Sequence, residues 1–247
     1  MILRPPNSEL RTLNLPSVIS LDEVLLQVES ETPRKSLFWG EGIGGISSYV
    51  AGWMVAKGID VIVLDGANRF DPYRVSSFAK KVSLPPVSLL KRIRIARAFT
   101  CYQMATLIEE RLVSSLEPSE KIAQQQKPWV ILLGLVTPFL DEDVSEREVR
   151  PLFERSLRKI EGMAAGGTPF LFFEPSAVSD SKRVYLTRRL FGFSDLIWRI
   201  SLDDEGPKIV IEKGFTANRS LNLKHEIPAF VPQGGTPRRQ AEFEKKS

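Results

Sequence analysis

The chain has 247 residues, with 34 lysines and arginines against 30 aspartates and glutamates, and a formal net charge of +4. Its 43% hydrophobic and 26% charged residues are typical of a globular protein and exclude a disordered or collagen-like chain. One cysteine, Cys101, excludes a disulfide framework, and one histidine, His225, excludes a histidine-rich metal site. Because no apolar run has the length of a membrane span and no signal-peptide core begins the chain, we expect a cytoplasmic protein.

The sequence divides into three parts by composition. Residues 1–35 are polar and punctuated by proline, with one short amphipathic patch at 21–28, and are expected to form an N-terminal extension. Residues 36–230 carry alternating strand and helix patterns and are the expected core domain. Residues 231–247 are polar and rich in turn formers, which is typical of a disordered tail.

Strand and helix patterns alternate along the core domain. Short apolar runs predict strands over 36–39, 60–64, 92–99, 129–136, 168–173, 196–202 and 208–213. Apolar residues at helical spacing predict helices over 46–57, 72–82, 101–115, 145–165 and 181–191. Such alternation predicts βαβ units, so the fold class is α/β with a mainly parallel sheet, and the last two strands should pair antiparallel.

A glycine-rich stretch lies between the first predicted strand and the first predicted helix. It has the spacing of a phosphate loop, G-x-x-x-x-G-K-[ST], but Ile46 replaces the lysine and Glu41 adds a negative charge. Its candidate nucleotide-binding residues are Gly40, Gly42, Gly44, Gly45, Ser47 and Ser48. Two interpretations stay open: a strand-to-helix turn that binds nothing, and a vestigial site that binds nucleotide weakly.

The segments after this loop resemble the core of the RecA/RadA recombinases. Asp65 ends a predicted strand, Phe70, Pro72 and Arg74 match a Phe-x-Pro-x-Arg helix start, and residues 96–99 read A-R-A-F. The resemblance covers roughly residues 36–213. It implies a RecA-like P-loop NTPase core, in which helices flank a central, mostly parallel sheet and an antiparallel strand pair lies near the C-terminus.

Residues that this family needs for ATP hydrolysis are replaced. By the resemblance, Ile46 stands for the Walker A lysine, Ala67 for the catalytic glutamate and Gly134 for the Walker B aspartate, and the polar sensor falls near Glu174. Hydrolysis needs neutralised phosphates, a magnesium ligand and a positioned water. The resemblance therefore implies a fold that has lost its ATPase, with no catalytic residue, no metal and no cofactor beyond weak ATP or ADP. Asp65 is interpreted as a strand-end residue.

Basic residues form two clusters in the sequence. The stretch from Pro72 to Ile108 has no acidic residue but seven lysines and arginines, and a second cluster follows residue 181. Candidate nucleic-acid contacts are Arg92, Arg94, Lys182, Arg183, Arg188 and Arg189. Contacts to phosphates predict weak, salt-dependent binding with little sequence preference. The alternatives are a solvated helix surface and, for Arg92 and Arg94, charges that protect an exposed strand edge.

The leading functional hypothesis is a catalytically inactive RecA/RadA-like paralogue that acts as a DNA-associated accessory factor in recombination and repair. One alternative is an NTP-binding protein or weakly active ATPase with an unorthodox site. Another is a protein–protein scaffold that binds neither nucleotide nor DNA. The resemblance also implies a protein partner or self-association through RecA-like interfaces, and no membrane partner is expected.

Overall fold

Apolar runs that are buried on both faces form the centre of one large sheet. The computed structural model describes residues 18–30, 35–116, 127–176, 182–204, 206–213, 215–216 and 219–220. Its strands are β1 (Val18–Ile19), β2 (Lys35–Gly40), β3 (Val61–Asp65), β4 (Ile93–Arg97), β5 (Trp129–Leu133), β6 (Phe170–Pro175), β7 (Leu196–Asp203), β8 (Gly206–Lys213), and the short β9 (Phe215–Thr216) and β10 (Arg219–Ser220). All five residues of β3 and of β5 are buried, as expected for central strands covered by helices.

Helices connect these strands. They are α1 (Leu21–Ser30), α2 (Ile43–Ala56), α3 (Pro72–Lys81), α4 (Pro86–Leu90), α5 (Cys101–Thr106), α6 (Val113–Leu116), α7 (Glu146–Ala165) and α8 (Val184–Phe193). A π-helical turn, Leu107–Leu112, joins α5 to α6, and a 3-10 turn, Thr137–Phe139, follows β5. None of the helices in the described residues is both long and apolar enough to span a membrane.

In the described part of the chain, the main sheet has eight strands in the order β1-β8-β7-β2-β6-β5-β3-β4. The six strands from β7 to β4 in this order are parallel, while β8 pairs antiparallel with β7 and β1 pairs antiparallel with β8. The predictions of an α/β fold, a mostly parallel sheet flanked by helices and an antiparallel pair near the C-terminus are therefore confirmed.

The core consists of two apolar layers, one on each face of the sheet. Helices α1 to α4 pack on the face that includes Val61 and Val63, and α5, α7 and α8 pack on the face that includes Ile62 and Leu64. The connections that lead from β2 through β3 to β4 thus lie on one face of the sheet. The connections that lead from β4 back through β5 and β6 to β7 lie on the other face. Right-handed crossovers require this arrangement.

Part of the predicted N-terminal extension belongs to the packed structure. In α1, Val24, Leu25 and Val28 are at most 1% exposed and lie in the same apolar layer as α2. The amphipathic patch is therefore a helix that covers the sheet, and packed residues occur before the predicted boundary at residue 36. Residues 1–17 and the predicted disordered tail, 231–247, lie outside the described residues.

Gly40 allows the first parallel strand to lie against its neighbour at the end of β2. Its φ is +128°, and a Cβ there would lie 2.0 Å from the backbone oxygen of Ile200 in β7. The Glu41 N–H donates to that same oxygen at 3.1 Å. Because backbone atoms cannot move aside as a flexible side chain can, this position requires glycine.

We expect Gly40→Ala to lower the free energy of unfolding by about 2–3 kcal/mol, because it combines a strained φ with overpacking. Gly162 in α7 is the matched control, since a Cβ there meets nothing within 4 Å. Gly162→Ala should raise the free energy of unfolding by about 0.5–1 kcal/mol through better helix propensity. Urea unfolding of both variants measures the two changes, and equal effects would contradict this account of Gly40.

Candidate functional site

The glycine-rich stretch forms a short turn instead of an open loop. Strand β2 ends at Gly40 and helix α2 begins at Ile43, so Glu41 and Gly42 alone connect them. The first helical hydrogen bond runs from the Ile46 N–H to the Gly42 oxygen at 3.0 Å. The prediction that the helix begins at residue 46 is wrong by one turn, because the chain closes its first helical turn with residues that a phosphate loop would leave open.

The hydroxyl groups of Ser47 and Ser48 are committed to the protein. Both residues are fully buried, and both hydroxyls donate to the oxygen of Gly44, at 3.0 and 2.7 Å. The Ser48 hydroxyl also accepts the N–H of Asp71 at 2.9 Å, which ties α2 to the start of α3. In the described structure these hydroxyls therefore hold backbone segments together, in contrast to the metal-holding role of a phosphate-loop serine.

The carboxyl edge of the sheet is filled with backbone atoms at the positions where ligands bind in doubly wound folds. Such ligands lie in a crevice between adjacent strands whose following helices lie on opposite faces. Here these pairs include β2 with β6 and β3 with β5. The Ser176 N–H donates to the Gly40 oxygen across the first pair. Across the second, a Cβ at Gly66 would lie 2.6 Å from the Gly134 oxygen.

The resemblance aligns Ile46, Ala67 and Gly134 with catalytic groups, and the packing at this edge explains why small or apolar residues occupy these positions. Gly134 has φ +65°, and a Cβ there would lie 2.5 Å from the Cβ of Ala67, so the turn has no space for an aspartate side chain. Ile46 is 7% exposed and packs in the apolar layer under α2. The three replaced positions are therefore parts of the core and of its closest turns.

Asp65 organises the turn after β3. Its side chain is fully buried and accepts the N–H groups of Arg69 and Phe70 at 3.1 and 3.0 Å. The Nε of Arg97 lies 3.6 Å from Oδ2 of Asp65, the oxygen that also accepts the Phe70 N–H. This set of donors holds the start of the Arg69–Arg74 segment in place, which is the strand-end role expected for Asp65.

Glu174 is the buried carboxyl group of this edge. It lies at the end of β6, is 3% exposed, and accepts the Val136 N–H at 3.1 Å. Burial raises the pKa of Glu174 to about 8, and hydrogen bonds from Val136 and Leu135 oppose the rise. The group is therefore mostly protonated at neutral pH, and its hydrogen bond from Val136 holds the turn after β5.

One open cleft, with a volume of about 720 Å³, lies beside the first turn of α2. Gly44 and Gly45 line it together with Arg69 and Arg74. No side chain caps the N-terminus of α2, and a Cβ at Gly45 would lie 3.6 Å from the Arg74 guanidinium. This corner therefore combines the uncapped start of α2 with two cations, which favour a small anion. Asp22 and Asp71 line the same cleft, and the Asp71 carboxylate lies 3.9 Å from the Arg74 guanidinium and partly neutralises it.

The predicted nucleic-acid contacts separate into paired, buried and free residues. Arg183 is 6% exposed and donates to the backbone oxygens of Phe139, Asp141 and Val144. The sequence predicts that Arg183 contacts nucleic acid, and this burial contradicts the prediction. The Arg183 guanidinium instead holds the turn at residues 139–144 through its hydrogen bonds. Arg189 pairs with Glu154 of α7 at 2.8 Å.

The remaining predicted contacts lie on two separate surfaces. Arg92 pairs with Asp60 at 2.7 Å, and Arg94 is exposed on β4. Lys182 and Arg188 are exposed beside and on α8, and neither forms an ion pair with a described residue. Because α8 connects β6 to β7 across β2, the strands β6, β5 and β3 separate it from the β4 edge.

Helix α7 supplies basic residues that the sequence analysis did not single out. Arg147, Arg150 and Arg158 are exposed and form no ion pair within the described residues. Their spacing places them on one helical stripe with Glu154, the partner of Arg189 on α8. Arg150 lies close enough to Tyr185 of α8 for its charge to act on that phenol. The spacing in the sequence predicts this stripe, but it does not predict that the stripe lies beside α8.

We call this the α7–α8 surface: Arg147, Arg150, Glu154 and Arg158 of α7 with Lys182, Arg188 and Arg189. Two acidic residues lie at this junction: Glu154 pairs with Arg189 at 2.8 Å, and Glu146 lies 3.5 Å from Arg183. The five remaining cations form no ion pair with the described residues. The described residues contain no group of three histidine, cysteine or carboxylate side chains that could hold a metal.

No protein-family model matches this chain, and no curated protein matches it as a relative.

We expect Glu174→Gln to reduce the pH dependence of stability. Glu174 has a folded pKa of about 8 against 4.5 for an ordinary glutamate, so its stabilising proton is fully present below about pH 4.5 and is lost as the pH rises to 8. The free energy of unfolding of the native protein should fall over this range. A glutamine at position 174 still accepts the Val136 N–H but has no titrating proton. The free energy of unfolding of the variant should therefore depend less steeply on pH.

Urea unfolding between pH 5 and pH 8.5 measures both slopes. Glu142→Gln, at an exposed position in the same region, is the matched control and should leave the slope unchanged. A native slope that Glu174→Gln does not alter would contradict the buried-acid interpretation.

Proposed function

We propose that this chain is a non-hydrolysing protein of the RecA/RadA type that acts as a DNA-associated accessory factor in recombination and repair. The proposal has two parts, the absence of ATP hydrolysis and the binding of nucleic acid. The observation that carries the first part is the direct backbone contact of Gly66 with Gly134 at the carboxyl edge.

The closed edge opposes each requirement of phosphoryl transfer. A magnesium ligand needs space at the end of β5, where Gly134 lies against Ala67. The outer phosphates need a cation, where Ile46 is a core residue. A positioned water needs a polar crevice between β2 and β6, and there the Ser176 N–H donates to the Gly40 oxygen and continues the pairing of the two strands. A Cβ at Gly134 would also lie 2.9 Å from the backbone nitrogen of Ala67, so a change of one side chain does not remove all three obstacles.

The α7–α8 surface supports nucleic-acid binding. Four of its five free cations come from α7 and α8, whose backbones are ordered before a ligand arrives, and Lys182 comes from the turn before α8. Arginine predominates among them, and its planar guanidinium suits phosphate oxygens. None of these side chains lies in a groove that selects a base sequence, so the expected contacts are to phosphates. The assignment to recombination and repair rests on the RecA/RadA resemblance.

A second candidate function has its own observation. The cleft that contains Arg69, Arg74 and the uncapped start of α2 favours weak binding of a phosphate-bearing ligand, ATP and ADP included. Glu41 does not oppose it directly, because its carboxylate is occupied by the N–H of Leu202 at 2.9 Å.

Two carboxylates, Asp22 and Asp71, also line the cleft. The Asp71 carboxylate accepts the Tyr73 N–H at 2.9 Å. The Asp22 carboxylate accepts the Tyr49 hydroxyl at 3.2 Å. Both are therefore engaged within the protein, and this candidate is a binding site without hydrolysis.

We expect phosphate release from ATP with magnesium, with and without DNA, to stay at buffer background, because Gly134 leaves no space for a metal-binding side chain after β5 and Ile46 supplies no cation. Steady-state phosphate release on repurified protein measures this. The double variant Arg69→Ala/Arg74→Ala tests the second candidate. Turnover that persists through repurification and disappears in this variant would overturn the non-hydrolysing assignment and favour an unorthodox ATPase.

We expect Arg150→Ala/Arg188→Ala to weaken DNA binding about equally for all sequences and to reduce the salt slope by about one unit per lost phosphate contact. Lys80→Ala/Lys81→Ala removes the same charge from α3 on the other face of the sheet and is the matched control. Fluorescence anisotropy with single- and double-stranded DNA at several salt concentrations measures both.

The control should bind DNA nearly as well as the native protein. Equal losses in both double variants would mean that net charge alone governs binding. No binding at low salt would leave the α7–α8 surface as ordinary solvated surface and would favour the scaffold alternative.

A further inference from the structure

Strand β4 is an open edge of the sheet. It pairs with β3 on one side, and no strand among the described residues pairs with its other side. The Arg92 oxygen accepts the Val61 N–H and the Ala98 N–H donates to Asp65, so even-numbered residues face β3. The N–H and C=O groups of Ile93, Ile95 and Arg97 therefore lie along the outer edge, available to another strand.

Exposed apolar side chains concentrate around this edge. The described residues include nine large hydrophobic side chains that are exposed, and six of them lie between residues 82 and 102. These six are Val82, Leu84, Val87, Ile95, Phe99 and Tyr102. Single exposed apolar residues are ordinary, but a group along one strand and its two flanking turns is typical of an interaction surface.

Two common devices that block a sheet edge, a bulge and a proline, are missing from β4. Its register with β3 is continuous from Ile93 to Arg97, without a bulge, and no proline interrupts it. Its charges are all positive, since no acidic residue occurs from Pro72 to Ile108. A second copy paired with this edge would bring arginine against arginine, which is unfavourable. The same positive charges attract an acidic chain. The edge therefore disfavours pairing with a second copy and favours pairing with an acidic segment.

We propose that the β4 edge binds an extended, acidic and apolar segment of a partner protein as an added strand. The backbone groups of Ile93, Ile95 and Arg97 supply the main-chain hydrogen bonds, as in other cases of strand addition. Ile95 is 40% exposed on the face of α3, and Arg94 is exposed on the opposite face. The fitting segment therefore alternates apolar residues, which contact Ile95 and Phe99, with aspartate or glutamate, which contacts Arg94.

This docking edge is distinct from the α7–α8 surface of the proposed function. Arg94 forms no ion pair within the described residues, while Arg97 is held by Asp65 at 3.6 Å. Charge recognition at the edge therefore depends on Arg94, and apolar recognition depends on Ile95. Loss of either property leaves the pairing of β4 with β3 intact, because both side chains project from the sheet surface and take no part in the ladder.

The test uses the full chain and fluorescent peptides of about eight residues, the length of an ordinary strand. One peptide alternates glutamate and valine, a second alternates lysine and valine, and a third is the glutamate–valine peptide with alternate amides N-methylated. The glutamate–valine peptide should bind most tightly in fluorescence anisotropy. The methylated peptide should bind at least about tenfold more weakly, because it cannot donate to the edge.

Two variants identify the surface. Ile95→Asp should weaken the glutamate–valine peptide at least about tenfold, while the matched control Leu26→Asp, at an exposed apolar position in α1, should not. Arg94→Glu should reverse the preference toward the lysine–valine peptide. Because a reversed preference requires a folded edge, this gain of binding separates lost recognition from lost folding, and circular dichroism checks every variant.

Three outcomes would overturn the proposal. One is equal binding of the methylated and unmethylated peptides, which would exclude strand addition. Another is no binding of the glutamate–valine peptide, or binding that Ile95→Asp and Leu26→Asp weaken equally. The third is a concentration-dependent dimer in sedimentation velocity that Ile95→Asp abolishes, which would make a second copy the occupant.

Discussion

The contact between two glycines at the carboxyl edge governs what this fold can do. Gly66 and Gly134 let the turns after β3 and β5 approach until backbone faces backbone. The Gly66 N–H then donates to Leu133 at 2.8 Å, and the Gly134 N–H donates to Phe173 at 2.7 Å. In doubly wound folds a ligand crevice opens between such turns, but here hydrogen bonds continue across it. In such folds ligands bind at this edge of the sheet. In this protein the turns after β3 and β5 are instead joined there by backbone hydrogen bonds.

The strands and their class followed from the sequence, while the closed edge did not. An apolar run such as residues 129–133 predicts a buried parallel strand because no other environment covers both faces. The stretch from Gly40 to Ser47 was compatible with an open loop and with a short turn, because glycine permits both conformations. The contact of Gly40 with Ile200, at the far end of the chain, decides between them, and sequence spacing contains no record of it.

The basic residues illustrate the same limit in electrostatic terms. Arg183 and Arg188 are equivalent in a sequence count, yet one is buried among three backbone oxygens and the other is exposed. Helix α8 begins at Val184, so Arg183 lies before the regular helix, and its side chain turns inward. The charge available to a ligand depends on that helix boundary, which is the least predictable feature of a helix.

The unpaired cations lie on two separate surfaces, whereas the sequence analysis combined both basic clusters into one set of candidate nucleic-acid contacts. On α7–α8, arginines surround a Glu154–Arg189 pair, so the surface is basic but neutralised at its centre. Along the β4 edge, Asp60 and Asp65 neutralise Arg92 and Arg97 from neighbouring segments and leave Arg94 between them. A uniformly basic edge would attract any polyanion. A single free arginine beside exposed Ile95 and Phe99 instead favours a ligand with a backbone, a carboxylate and an apolar side chain, which is the chemistry of a peptide strand.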